Sequence, residues 1–316
     1  DLIAAKKNVE VSSQNVEFLQ QAHFAADRKY QVGEETITNV SAAQAELLSG
    51  QAELVSAQAE YENARAAFTY KTGITPEHDL ETLTVPEFFP KSLDIAKGLS
   101  DSHNQNIIAA RYAIDAAEAE SDAATGNLMP SVDLSIEAAR THERNKRQSP
   151  NFLGRMSPEN TFRTPVTVKA EISMPLYDGG ELRSKRRQSL KILGAQKVNL
   201  QKIKNEISQT ITTLWNRNDA LKNTFNAYQE VVKASEQAVN SLLEEQKAGA
   251  KTLLDVLKQQ KEHFQRQRKL VDTEKEYLKN AYNFLSIIGI LTPQRLKLDV
   301  NVIDLKEDYE NTKMWF

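Results

Sequence analysis

The residues best suited to metal or proton chemistry are five histidines, His23, His78, His103, His142 and His263. They are scattered, with no H-E-x-x-H spacing to put two ligands on one helix face, so they read as structural or surface residues. No G-x-S-x-G or P-loop pattern occurs. Gly179-Gly180 fits a strand-to-helix turn better than a phosphate loop. The chain thus offers no catalytic constellation, no cofactor site and no metal site. What it offers is patterned charge. Asp133, Glu137, Lys169 and Glu171 recur at even spacings within two short segments, and Asp255 stands between Lys251 and Lys258, close enough to pair with either. The segment 140–163 holds six Lys or Arg against two acids. Charges so placed line a wet surface or attract ions; they do not make or break bonds.

Composition says what must position them. The 316 residues include only 11 Gly and 9 Pro, against long tracts of Ala, Gln, Glu, Lys and Leu that favour long helices. A mean hydropathy of -0.54 means that each helix buries a narrow stripe and keeps its other faces wet. The net charge of -3 lacks the concentrated basic face of a nucleic-acid binder. Cysteine is absent, which excludes disulfides and thiolate metal sites. The longest apolar patch, Phe284 to Leu291, is far short of the roughly 20 residues of a spanning helix, so any membrane crossing must use β-strands.

The chain repeats itself. Shifted by 216 positions, Gly33–Ile74 aligns with Gly249–Ile290 with 13 identities in 42 positions, among them Gly33/Gly249, Thr36/Thr252, Val40/Val256, Tyr61/Tyr277, Phe68/Phe284 and Gly73/Gly289. In each copy a Gly that can end one helix precedes a Thr that can N-cap the next, which predicts a helical hairpin. The incoming helix of the second copy runs from about Gly180 to Lys247, roughly 100 Å at the usual rise. Its seam passes through Ile207, Ile211, Leu214, Asn218, Leu221, Phe225, Tyr228, Val232, Ser235, Val239 and Leu242 at alternating spacings of four and three. The returning helix of the first copy carries a similar seam from Val40 to Phe68. Between the copies lie a Pro-punctuated segment and an Ala-rich helix from about Ser92 to Thr125. The period then changes to two. Val132, Leu134, Ile136 and Ala138 alternate with Ser131, Asp133, Ser135 and Glu137, and Val166, Val168, Ala170, Ile172 and Met174 alternate with Thr167, Lys169, Glu171 and Ser173. Two strands of about ten residues with one apolar and one charged face suit a transmembrane β-barrel. A half-buried hairpin on a soluble core would show the same alternation.

Gly126-Asn-Leu-Met-Pro130, Met174-Pro-Leu-Tyr-Asp-Gly-Gly180, Tyr30-Gln-Val-Gly33 and Gly249-Ala-Lys-Thr-Leu-Leu-Asp-Val256 follow in this order around a duplicated hairpin. Together they resemble the TolC family of outer-membrane efflux proteins, across almost the whole chain. The resemblance implies a mainly α fold with a transmembrane β part: a homotrimer whose strands close one barrel in outer-membrane lipid and whose hairpins form an α-barrel across the periplasm of a Gram-negative bacterium. On that reading 1–74 is the first hairpin, 75–91 an equatorial linker and 92–127 a helix. Residues 128–177 are the outer-membrane hairpin with an external loop over 140–163, 178–290 is the second hairpin and 291–316 an equatorial C-terminal segment. The loop is a solvated loop or a lipopolysaccharide-phosphate contact. Subtracting the repeat places the first unit's start some 36 residues before Asp1, so two strands of the expected four are missing and the chain reads as N-terminally truncated.

The family implies a passive exit duct for drug efflux or protein secretion, not an enzyme, that needs no cofactor and docks with a periplasmic adaptor and an inner-membrane transporter. A periplasmic adaptor or a soluble coiled-coil scaffold are the competing classes, but neither explains membrane-like strands between duplicated hairpins. Period two assigns Asp133, Glu137, Lys169 and Glu171 to the lumen and Val132, Leu134, Ile136, Val166, Val168 and Ile172 to lipid. Val32, Gly33, Thr36, Ala248, Gly249 and Thr252 form two tips, either simple chain reversals or adaptor docking points. Asp255 stands where the family has a gate carboxylate, with Asn39 as its first-repeat equivalent and Lys251 and Lys258 placed to lock it; an exposed helical Asp beside lysines is the plainer alternative.

Overall fold

The computed structural model describes residues 1–76, 83–144, 160–298, 300 and 309. The middle of the expected external loop, 145–159, and much of the two expected equatorial segments, 77–82, 299, 301–308 and 310–316, lie outside the described residues. The element order is α1 (Leu2–Gln31), α2 (Ile37–Thr72), α3 (Leu93–His103), α4 (Gln105–Gly126), β1 (Ser131–Ala138), β2 (Thr141–Arg144), β3 (Asn160–Arg163), β4 (Val166–Ser173), α5 (Glu181–Lys247) and α6 (Leu253–Ile288). The chain is mainly helical with one β part. It divides into two bodies, one of 1–105 with 205–316, the other of 106–204.

In the first body the two hairpins end alike. Gly33 and Gly249 take left-handed φ of 82° and 77°, a conformation that only Gly adopts without cost. The amides of Glu34 and Ala250 reach back to the carbonyls of Lys29 and Glu245, both at 2.8 Å. That is a Schellman ending, and it satisfies carbonyls the helix would leave open. Thr36 and Thr252 then N-cap α2 and α6 by accepting the Asn39 and Asp255 amides at 3.3 Å.

The α2 seam lies against α1, where small residues allow close approach. Ala43 and Ala57 are buried, and a Cβ on Gly50 would stand 2.8 Å from Leu19 Cδ1. Helix α6 bridges the hairpins. Gln260 donates to Asn15 of α1 at 3.0 Å, Lys7 pairs with Glu274 at 2.7 Å and Lys261 with Glu46 of α2 at 3.2 Å. Against α5, Ser235 meets His263 Nδ1 at 2.8 Å, Asn280 donates to the Leu214 carbonyl at 3.0 Å and Phe225 stacks on Tyr277. Every residue of the α5 seam is buried or half-buried. Burial holds the His263 imidazole below the usual histidine range and therefore neutral near pH 7, although Glu236 pulls the other way.

The single helix expected over 92–127 is two. Asn104 leaves helical geometry with ψ of 123°, and its side-chain amide donates to the Ile287 carbonyl near the end of α6 at 2.6 Å. No Pro or Gly marks this break. A tertiary hydrogen bond overrides an Ala-rich local preference, which sequence periodicity does not register.

In the second body β1 and β4 pair antiparallel from Ser131↔Ser173 to Ala138↔Val166. The strands are eight residues each, not ten. Beyond them the Ala139 amide bonds to the Pro165 carbonyl at 3.1 Å, and a four-residue pair, β2 with β3, continues the hairpin with His142 opposite Phe162. Asp178 accepts the amides of Gly180 at 2.9 Å and Leu182 at 2.5 Å, which fixes the start of α5 and holds its carboxyl below the ordinary range. The helix runs on through Gly194 without a break.

Candidate functional site

Two surfaces gather the residues singled out above. On the hairpin the register sorts side chains into two faces: Val132 opposite Ile172, Leu134 opposite Ala170 and Ile136 opposite Val168 on one, Asp133 opposite Glu171, Ser135 opposite Lys169 and Glu137 opposite Thr167 on the other. Asp133 and Glu171 oppose each other as like charges, which destabilises a strand pair, and Lys169 compensates by an ion pair with Glu171. Among the described residues the apolar face has no cover. Val132, Leu134, Ile136, Val168 and Ile172 are 65–74% exposed, where a soluble protein would bury such a row. Nothing among the described residues of the second body serves as a core for it. At the outer end Arg140 lies over the Phe162 ring at 5.9 Å, and that ring contacts His142 at 4.4 Å.

The other surface is the paired tips. Leu19, Ala26, Val40, Ala43, Leu253 and Leu257 form one buried cluster, so the starts of α2 and α6 sit side by side. Val32, Gly33 and Thr36 of one tip and Ala248, Gly249 and Thr252 of the other are exposed. Neither Gly would collide on gaining a Cβ, so only the left-handed φ demands Gly there.

Asp255 is exposed and engaged. Its Oδ2 accepts the Thr252 amide at 3.0 Å and the Thr252 hydroxyl at 2.8 Å, completing a capping box. These hydrogen bonds, and secondarily the charges of Lys251 and Lys258, hold its carboxyl below the ordinary range. Among the described residues neither lysine makes an ion pair with Asp255, whose Oδ2 is taken by Thr252; their charges act on it through space. The first tip uses a carboxylate the sequence reading passed over. Glu35 Oε1 accepts the Asn39 side-chain amide at 2.5 Å and the Thr36 amide at 3.1 Å. Its repeat equivalent is Lys251, so the carboxylate that accepts the Thr amide comes from the residue before the cap, Glu35, in one tip and from three residues after it, Asp255, in the other. Aligning the repeat and reading charge at each pair would have exposed the difference.

No group of His, Cys, Asp or Glu among the described residues is arranged to hold a metal ion, and no described helix is long and apolar enough to cross a membrane. Residues 99–289 match the family described as outer membrane efflux protein. The chain is 26% identical over 294 residues to the outer membrane efflux protein BepC of Brucella suis, covering 92% of this chain and 62% of that protein. It is 23% identical over 222 residues to the outer membrane protein TolC of Escherichia coli, covering 69% of this chain and 45% of that protein. It thus spans less than two thirds of either relative. Among solved structures it is similar to the outer membrane protein VceC of Vibrio cholerae, with a TM-score of 0.70 at 20% identity over 91% of this chain and 67% of that one. It is also similar to CusC, with a TM-score of 0.73 at 16% identity over 92% and 66%. The uncovered apolar face, the duplicated hairpins and a family match over more than half the sequence agree: the chain belongs to the outer membrane efflux protein family.

Proposed function

We propose that the chain is a wall segment of a trimeric outer-membrane exit duct, with its hairpin in the membrane and its long helices in the periplasm. The observation that carries this reading is a second seam on α2. Ile37, Leu48, Ala52, Val55, Ala59, Ala66 and Tyr70 all lie exposed, Val55 at 64% and Tyr70 at 90%. At the helical period they form one stripe, about 150° around the helix from the seam that α1 covers. A surface helix of a self-contained bundle needs one apolar stripe. Two stripes somewhat less than opposite each other suit a stave held between neighbours in a closed ring, and the second neighbour is supplied by another copy. Ala59→Glu puts a charge on that stripe and should abolish the trimer in native mass spectrometry in detergent. Helix content should be unchanged, since surface substitutions cost within about 0.5 kcal/mol. Gln58→Glu, exposed but between the seams, should leave the trimer intact; a trimeric Ala59→Glu protein would refute the stave.

At the tips the reading assigns docking of a periplasmic adaptor, itself coupled to an inner-membrane transporter, to Val32–Thr36 and Ala248–Thr252, exposed turns on rigid helices. Leu at Gly249 should weaken adaptor pull-down while trimers persist; loss of the trimer would leave the glycine a purely structural role. A ring of Asp255 carboxylates would be the gate. The Thr252 hydrogen bonds hold each carboxyl below the ordinary range and favour its ionised form, against the mutual repulsion that a ring of three would add. Block of the channel by multivalent cations in planar bilayers should therefore persist from pH 8 to about 5 and be relieved in Asp255→Ala. Unchanged block in that variant would remove Asp255 from the gate.

A further inference from the structure

Directly below the uncovered strand face the chain turns basic. From Met174 to Val198 there are six Lys or Arg against two acids, in a protein of net charge -3. Both acids are engaged. Asp178 accepts the amides that open α5, so the helix N-terminus is already filled, and Glu181 pairs with Lys185 at 2.6 Å. Arg183, Arg186, Arg187 and Lys191 are exposed and make no ion pair among the described residues; Arg183 acts on Asp178 only through space. At the helical period these four lie within an arc of about 140°, centred about 110° from the covered side marked by Leu182, Ser189 and Leu193, with Arg186 at its edge. Above them Leu176 and Tyr177 are each 90% exposed among the described residues.

We infer that this collar binds the phosphates of anionic phospholipids in the periplasmic leaflet of the outer membrane. The inference rests on the membrane reading of the hairpin. The last strand pair, Ser131↔Ser173, ends the apolar face. Tyr177 and Leu176 then fall at headgroup depth, where amphipathic and apolar side chains anchor a membrane protein. The four cations occupy the next two to three turns, within about 15 Å of the helix start and within reach of a headgroup field that decays over a Debye length of about 8 Å. Guanidinium groups fit phosphate in a two-pronged geometry that water-facing lysines do not provide, and three of the four are Arg. Paired acids and unpaired bases leave a face complementary to a negative surface, continuous with the lipid-facing band.

The test compares trimers carrying Arg183→Gln, Arg186→Gln, Arg187→Gln and Lys191→Gln together with the unaltered protein. Both are placed in nanodiscs of phosphatidylcholine or of phosphatidylcholine with phosphatidylglycerol, and lipids retained on release are counted by native mass spectrometry. The unaltered trimer should retain phosphatidylglycerol over phosphatidylcholine by about tenfold, less as salt rises, and the fourfold variant by less than about twofold. Arg→Lys at the three arginines, which keeps the charge and loses the two-pronged geometry, should leave a preference between those two values. Inorganic phosphate at millimolar concentration should not displace the lipid, because a soluble anion lacks the apolar anchor beside it. Equal retention of the two lipids by an intact trimer overturns the inference, as does displacement by phosphate. Loss of the trimer in the fourfold variant does so too, by assigning the face to a neighbouring copy. Failure of the unaltered protein to enter the nanodisc would count against the membrane reading itself, which separates the two.

Discussion

Gly289→Ala will lower the stability of the helical body about two to three times as much as Gly73→Ala, although the two glycines are equivalent in the repeat. Both take left-handed φ, 86° and 71°, so each substitution carries a backbone cost of about 1–2 kcal/mol. The surroundings differ. A Cβ at Gly73 meets nothing within 4 Å, whereas one at Gly289 would stand 2.1 Å from the His103 carbonyl oxygen and 2.9 Å from the Asn104 amide nitrogen. Those are backbone atoms at the α3–α4 joint and cannot swing aside. The residues around the contact are sealed, with Phe284, Leu285, Ile288 and Ile290 at 0% exposure and Phe284 stacked on Phe89. Overpacking of this kind costs about 1–3 kcal/mol beyond the backbone term, and the Asn104 bond to Ile287 is placed to be lost with it. Thermal unfolding followed by circular dichroism measures the difference. Equal losses of midpoint in the two variants would show that the close approach carries no energy.

That contrast marks what the sequence could and could not reveal. The duplicated hairpins were legible because Gly and Thr act locally: a left-handed turn and an N-cap need no partner to be recognised. The strand faces were legible for the same reason, since period two fixes which side chains share a face whatever covers it. The α3–α4 break was not, because Asn104 is set by a carbonyl 183 residues away. Nor was the difference between the tips visible from one copy, since Glu35 engages Asn39 where Lys251 stands in the other repeat. The α2 seam from Val40 to Phe68 was read correctly as one stripe; its second stripe is small and weakly apolar, Ala52, Ala59 and Ala66 among stronger residues, and only exposure on the folded helix separates it from ordinary surface.

Val168→Arg should abolish outer-membrane assembly, while Ser135→Arg, on the same hairpin, should be tolerated. Val168 lies opposite Ile136 near the middle of the eight-residue pairing, on the face where every large side chain is apolar and 65–74% exposed. In lipid an Arg near that depth costs about 2–4 kcal/mol per copy, and a trimer carries the cost three times. No neighbour on that face can offset it, since Val132, Leu134, Val166 and Ile172 offer neither an acceptor nor a countercharge. Ser135 points to the other face, between Asp133 and Glu137 and opposite Lys169. An Arg there gains two carboxylate neighbours along its own strand and, on the proposed reading, a water-filled lumen beyond, at the expense of one unfavourable cross-strand cation. Lys169→Glu should likewise assemble: it breaks the ion pair with Glu171 and adds a fourth carboxylate to a face already bearing Asp133, Glu137 and Glu171. In the channel it should appear as stronger cation selectivity and not as lost protein. Trimer recovered from outer-membrane fractions, measured against total expression, reads all three variants. If Val168→Arg and Ser135→Arg were recovered equally, the two faces would not differ in what they touch, and the hairpin would not stand in a membrane.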